Sequence, residues 1–243
     1  MKHENKLIMS IEPESLFAFE DAGSTLQDLE TPVPVIDFDI MLGNLQRWQQ
    51  HCDRLGLANW PHIKTHKLVA VAKLQLALGA KGICVQKLGE AEVMADAGIA
   101  DMLLTFNVVG HRKLARLAKL MVATNIAVVA DNAWMLEGLS LAATKAGRSL
   151  EVLVECDSGA GRNGVQTPRE ALELARKIDA APSLRCGGLM TYPPSFKRKQ
   201  VAAFLAEAKQ LMNASGMDCS RVSSGGSPDM WDTDGLADVT EYR

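Results

Sequence analysis

The heptapeptide Pro61-His62-Ile63-Lys64-Thr65-His66-Lys67 sets a lysine between two histidines at alternating positions. Alternate residues of a strand share a face, so this spacing predicts that His62, Lys64 and His66 look into one pocket. A lysine amine with an ordinary pKa of about 10.4 is uncharged at pH 7 in only roughly one molecule in a few thousand, so nucleophilic use requires desolvation or cationic neighbours. Two imidazoles suit that task. A lysine so tuned can hold pyridoxal phosphate, or a carbonyl substrate, as a Schiff base. The same residues also fit a solvated strand end with two hydrogen-bonded histidines.

Two later runs carry further chemistry. Val154-Glu155-Cys156-Asp157-Ser158-Gly159-Ala160-Gly161-Arg162-Asn163-Gly164-Val165 surrounds Arg162 with three glycines, which permit a tight turn and close approach of backbone to a ligand. A planar, permanently charged guanidinium there suits a phenolic oxygen or a carboxylate, although a plain surface loop has the same composition. The run from Arg221 to Met230, RVSSGGSPDM, follows a short apolar strand with hydroxyls and glycine amides, the donors a phosphate monoester requires. A flexible Ser/Gly turn reads the same way. Tyr192, in GLMTYPPS, sits at a strand end and fits either a cofactor ring or a rim position. Trp60 reads as core or pocket wall, and His111 as a helix-start or surface residue.

The elements that must bring these runs together follow from apolar periodicity. Strands are expected at Trp60 to Thr65, Gly82 to Gln86, Met102 to Phe106, Ile126 to Ala130, Leu150 to Cys156, Cys186 to Thr191, Arg221 to Ser224 and Val239 to Tyr242, with one more at Pro32 to Asp37. Helices are expected between them, from Ile40 to Leu55, Leu68 to Leu78, Leu88 to Ala97, His111 to Met121, Trp134 to Ala146, Pro168 to Ala180 and Lys197 to Ser215. Strict alternation over about eight units predicts an α/β protein of the TIM (β/α)8 barrel type, occupying residues 32–243 after an N-terminal arm over 1–31. A Rossmann sheet fits less well, because no G-x-G-x-x-G follows an early strand. Barrel sites lie at the C-terminal ends of strands, where Lys64, Gln86, Asn107, Asp131, Glu155, Tyr192 and Ser223 to Ser227 fall.

With 243 residues and a net charge of -3, the chain has no general attraction for nucleic acid or anionic membranes. Its five scattered cysteines form no C-x-x-C pair, and neither a secretory leader nor a membrane span is visible, so a cytoplasmic location is expected.

With these clusters in this order, the chain resembles the D-threonine aldolase and D-serine dehydratase branch of the alanine-racemase-like, fold-type-III pyridoxal phosphate proteins. The likeness runs from TPVPVIDFDIMLGNL through PHIKTHK, GAKGICVQKLGEAEVM, VECDSGAGRNGV and GLMTYPP to VSSGGSPDM and TEYR. It implies an alanine racemase N-terminal-type barrel in which Lys64 carries pyridoxal 5'-phosphate and Lys64 or His66 moves protons. Arg162 would approach the 3-oxygen of the ring, Tyr192 would lie beside it, and Gly225 and Gly226 with Ser224 would hold the phosphate. His62 and Gln86 would complete the cofactor site. The implied activity is a lyase for small-molecule β-hydroxy D-amino acids, with aldol cleavage ahead of dehydration. A non-catalytic pyridoxal phosphate carrier and an inactive fragment are the alternatives. The resemblance also implies a homodimer at full length and a divalent metal, zinc or manganese, held in a second, mostly β domain. No histidine follows His111 and the chain stops at TEYR, so that C-terminal β domain and its metal ligands are expected to be absent from this chain.

Overall fold

Apolar periodicity becomes a β/α alternation in the computed structural model, which describes residues 25–233, 236 and 238–243. Helix α1 (Phe38–Leu55) leads into strand β1 (Ala58–Asn59). There follow α2 (Val69–Ala77), β2 (Ile83–Val85), α3 (Leu88–Asp96), β3 (Asp101–Leu104), α4 (His111–Ala123), β4 (Asn125–Ala130) and α5 (Trp134–Ala146). The chain continues through β5 (Leu150–Cys156), α6 (Pro168–Ala180), β6 (Leu184–Thr191), α7 (Arg198–Ala214), β7 (Val222–Ser224) and β8 (Glu241–Tyr242). Local chemistry sets the boundaries. In α6, Thr167 Oγ1 accepts the Glu170 N–H while the Glu170 carboxylate accepts the Thr167 N–H, Pro168 opens the first turn, and Ala171, Leu174, Ala175 and Ile178 form the buried stripe.

All eight strands are parallel, in the order β1-β8-β7-β6-β5-β4-β3-β2. β8 lies between β1 and β7, with Asn59 and Ser224 both beside Tyr242. The remaining gap, from β1 to β2, is bridged at His62 and Cys84, where Cys84 N–H donates to the Pro61 carbonyl at 2.9 Å. This bridge closes the sheet into a barrel.

Pleating divides the side chains between two cores. The larger lies between sheet and helices. The smaller fills the barrel with Cys84, Leu103, Ala127, Val129, Leu153 and Met190, against which Trp60 packs. Below that apolar layer, Arg221 lies over the Trp60 ring at 4.6 Å and donates to Glu151 and Glu241, each at 2.7 Å. Above it lies the polar mouth.

Two expected strands are corrected. Pro32 to Asp37 is extended coil with Val35 and Ile36 exposed. Pro32 and Pro34 remove alternate N–H donors, so this stretch cannot ladder onto a sheet that is in any case closed. The strand expected from Trp60 to Thr65 is only Ala58–Asn59, followed by a 3-10 turn at Ile63–Thr65. The arm expected over residues 1–31 lies outside the described residues up to residue 24; its remainder contains a short 3-10 turn at Leu26–Asp28.

Arg221→Ala leaves Glu241, 3% exposed, without its cation. The expected cost is about 3–5 kcal/mol of stability, read from urea unfolding. An unchanged midpoint would show that this network contributes nothing.

Candidate active site

Lys64 lies on the turn after β1 rather than on a strand, because His62 begins a 3-10 turn there. His62 Nδ1 accepts the Lys64 N–H at 3.3 Å, and Nε2 lies 3.1 Å from Thr105 Oγ1, whose hydroxyl in turn donates to the Val85 carbonyl. These directions assign the His62 proton to Nε2. Burial first, then the charges of Lys64 and Arg243, lower the His62 pKa to about 4, so the ring is neutral near pH 7.

The period-two expectation that both histidines flank Lys64 is corrected. His66 Nδ1 accepts the Leu68 N–H at 3.0 Å at the start of α2, and its ring faces Gln75 of that helix. A turn changes direction every residue, so positions 62, 64 and 66 lose their common face. Beyond it, Lys67 has a left-handed φ of 56° and its ammonium pairs with Glu90. Glu90 also accepts the Gln86 N–H at 2.7 Å, so one carboxylate ties the Lys64 turn to the end of β2.

The cations expected to tune Lys64 are arginines. Partial burial and then Arg162 and Arg243 pull the Lys64 ammonium below its ordinary value. Arg162 stands over the Tyr192 ring at 4.6 Å, and Tyr192 itself is 38% exposed at the mouth. The Arg162 loop is shaped by Asp157, whose Oδ1 accepts the Gly159 and Gly161 amides at 2.9 and 3.1 Å. It closes where Val165 N–H returns to the Glu155 carbonyl. A Cβ at Gly164, where φ is 119°, would lie 2.3 Å from Asp157 N, so glycine is required.

Arg243, inside the barrel beyond Glu241, is the site residue that sequence reasoning missed. Its guanidinium donates to the Thr191 carbonyl. Alternation along Glu241, Tyr242 and Arg243 was the available signal. Beneath these cations is Glu155, 1% exposed, with Oε2 lacking a partner among the described residues. Burial, then the nearby Asp131 charge, raises its pKa to about 7 despite Arg243 and Arg162.

The Ser223-to-Ser227 loop crosses the mouth from β7. Ser223 and Ser224 are fully buried, and their hydroxyls have no partner among the described residues. A Cβ at Gly225 would lie 2.8 Å from the Arg243 carbonyl, so the main chain here approaches its neighbour too closely for a side chain. Serine hydroxyls without a partner among the described residues, glycine amides and the cations Lys64, Arg162 and Arg243 fit a phosphorylated aldehyde cofactor. Beside the mouth, a cavity of about 770 Å³ opens among Lys67, Gln86, Glu90, Phe106 and Asn107. Among the described residues, no group of three or more His, Cys, Asp or Glu side chains is arranged to hold a metal ion, and no helix is long and apolar enough to cross a membrane.

Residues 36–243 match the family described as alanine racemase, N-terminal domain. The chain is 38% identical over 215 residues to D-threonine aldolase of Arthrobacter sp, covering 84% of this chain and 57% of that protein. It is 33% identical over 232 residues to D-threo-3-hydroxyaspartate dehydratase of Delftia sp. (strain HT23), covering 90% and 61%. The crystal structure of D-threonine aldolase from Filomicrobium marinum superposes with a TM-score of 0.82 at 32% identity, over 90% of this chain and 62% of the other. The chain thus spans little more than half the length of the relatives it matches.

The raised Glu155 pKa makes a signed prediction. Between its ordinary value of 4.5 and about 7 the folded state binds the proton more tightly than the unfolded chain, so this group's contribution falls as pH rises through that window. Glu155→Gln abolishes the titration. The variant's stability relative to wild type is expected to increase from pH 4.5 to 7 and to be level on either side, measured by urea unfolding across pH. A difference independent of pH would contradict the shift.

Proposed function

The chain belongs to the alanine racemase N-terminal domain family, and on that footing we propose that it binds pyridoxal 5'-phosphate at the barrel mouth. We further propose that the whole protein is a lyase that cleaves the Cα–Cβ bond of β-hydroxy D-amino acids to glycine and an aldehyde. The observation that carries this reading is the pairing of an amine depressed by partial burial and two arginines with a loop of glycine amides and of serine hydroxyls that have no partner among the described residues. The reaction class rests on the likeness to D-threonine aldolase. Dehydration is the second reading, favoured by the likeness to the Delftia dehydratase.

In this reading Lys64 Nζ would hold the cofactor through its aldehyde group, and its lowered pKa keeps a larger fraction of the amine unprotonated near pH 7. Arg162 would hold the phenolic oxygen, Tyr192 the ring, and Ser224, Gly225 and Gly226 the phosphate. Gln86, tied to the Lys64 turn through Glu90, would complete the cofactor site from the β2 side. When bound, the cofactor supplies a conjugated ring that withdraws electrons from the substrate's α-carbon. Lys64 Nζ is the group that accepts or returns a proton there. His62 has both ring nitrogens engaged and orients the Lys64 backbone instead of exchanging protons. Glu155, whose pKa burial raises to about 7, would limit the negative charge beneath the cofactor.

Absorbance spectra with added pyridoxal phosphate, for wild type and Lys64→Ala, test the assignment. A visible protein-bound band is expected in wild type alone. Assays of the whole protein with D-threonine and D-serine, with and without zinc or manganese, are expected to yield an aldehyde from D-threonine and to fall below about one thousandth in the variant. The same band in both proteins would remove Lys64 from the site, and ammonia from D-serine without aldehyde from D-threonine would establish dehydration.

A further inference from the structure

The Gly225–Gly226 segment is held from behind by a residue of another strand. Tyr242 alternates with Glu241 and Arg243, which point into the barrel, so its ring lies on the outer face against α1. There it meets the Trp48 ring edge-on at 5.2 Å and is 2% exposed. Its hydroxyl donates to the Gly226 carbonyl at 2.8 Å. Burial raises the Tyr242 pKa far above its ordinary value, so the group remains a donor throughout the range in which the protein is handled.

That single bond sets the direction of the next amide. In a trans peptide the C=O of Gly226 and the N–H of Ser227 point in opposite directions. Anchoring the carbonyl outward on Tyr242 aims the Ser227 N–H back across the loop, toward the mouth. Gly226 has a φ of 128°, a region open to glycine, and without an anchor this peptide can rotate at little cost. Rotation would replace a donor by a carbonyl oxygen, and an anion would then meet a negative end instead of a positive one. Neither the Gly226 nor the Ser227 amide donates to a backbone acceptor among the described residues, which leaves both available to a ligand.

We propose that Tyr242 is a positioning residue for the anion-binding loop, locking the Gly226–Ser227 peptide in its donor-inward orientation. The proposal rests on the reading that this loop takes the phosphate of an aldehyde cofactor. Tyr242 acts through the Gly226 carbonyl from the outer face of the sheet, so its effect is confined to the Gly226–Ser227 peptide.

The test compares pyridoxal 5'-phosphate with pyridoxal, which has the same aldehyde and no phosphate, as ligands of wild type and Tyr242→Phe. The substitution keeps the ring against Trp48 and deletes only the hydroxyl. About a tenfold loss of affinity for the phosphorylated aldehyde is expected, with pyridoxal affinity unchanged. Ser227→Pro supplies an independent arm: it removes the amide itself at an exposed first position of a 3-10 turn, where proline is tolerated. It should reproduce the phosphate-specific loss, and the double variant should lose no more than either single one. Equal binding of the phosphorylated ligand by wild type and Tyr242→Phe overturns the proposal, as do equal losses for both ligands or additive losses in the double variant. Should Tyr242→Phe fail to fold, Ser227→Pro decides alone, and undiminished phosphate selectivity in it overturns the proposal. Wild type that binds pyridoxal as tightly as its phosphate overturns the phosphate reading of the loop together with this proposal.

Discussion

Insertion of β8 between β1 and β7 is the constraint on which the rest of the molecule depends. Two residues close the sheet, and the pleat then fixes where three consecutive side chains go. Glu241 descends to Arg221 at the foot of the barrel, Tyr242 turns outward to α1 and Gly226, and Arg243 reaches the mouth. An open sheet would expose a row of unpaired amides at β1 and β7. It would also leave Arg221 and Glu151 without the carboxylate that shares their charge. Foot, wall and mouth are thus coupled through one short strand, while the apolar layer of Leu103, Val129, Leu153 and Met190 separates the two charged ends.

The two ends use charge differently. At the foot, cation and carboxylates are matched within hydrogen-bond distance, which is the arrangement that makes buried charge tolerable. At the mouth, Lys64, Arg162 and Arg243 gather with no direct carboxylate partner among the described residues, and burial raises the Glu155 pKa to about 7. The buried Ser223 and Ser224 hydroxyls at the end of β7 have no partner among the described residues. A surplus of cations and donors disfavours the isolated fold and favours any anionic ligand that completes it, which is how binding sites depart from the rules that govern cores.

Much of this was legible in the chain. The boundaries of β5, α5 and α6 follow from apolar spacing, because that signal lies within a few residues. The strand-end residues Gln86, Asp131, Glu155 and Tyr192 were legible for the same reason, since a parallel β/α alternation puts strand C-termini on one face. The misread segments are those containing proline. Pro32 and Pro34 sit in an apolar run with strand composition but without the donors, and Pro61 ends β1 three residues before Lys64.

The sequence by itself determined the repeating alternation, the apolar wall and the chemical types available at the mouth, because these depend on side-chain identity and short-range periodicity. Tertiary structure alone decided which groups meet. Arg162 and Arg243 join His62 beside Lys64, His66 turns toward α2, and the Tyr242 hydroxyl bonds a glycine carbonyl sixteen positions away. Those contacts join residues far apart in sequence or change direction within one turn. They exist only once the barrel has closed and each pleat has been given an inside and an outside.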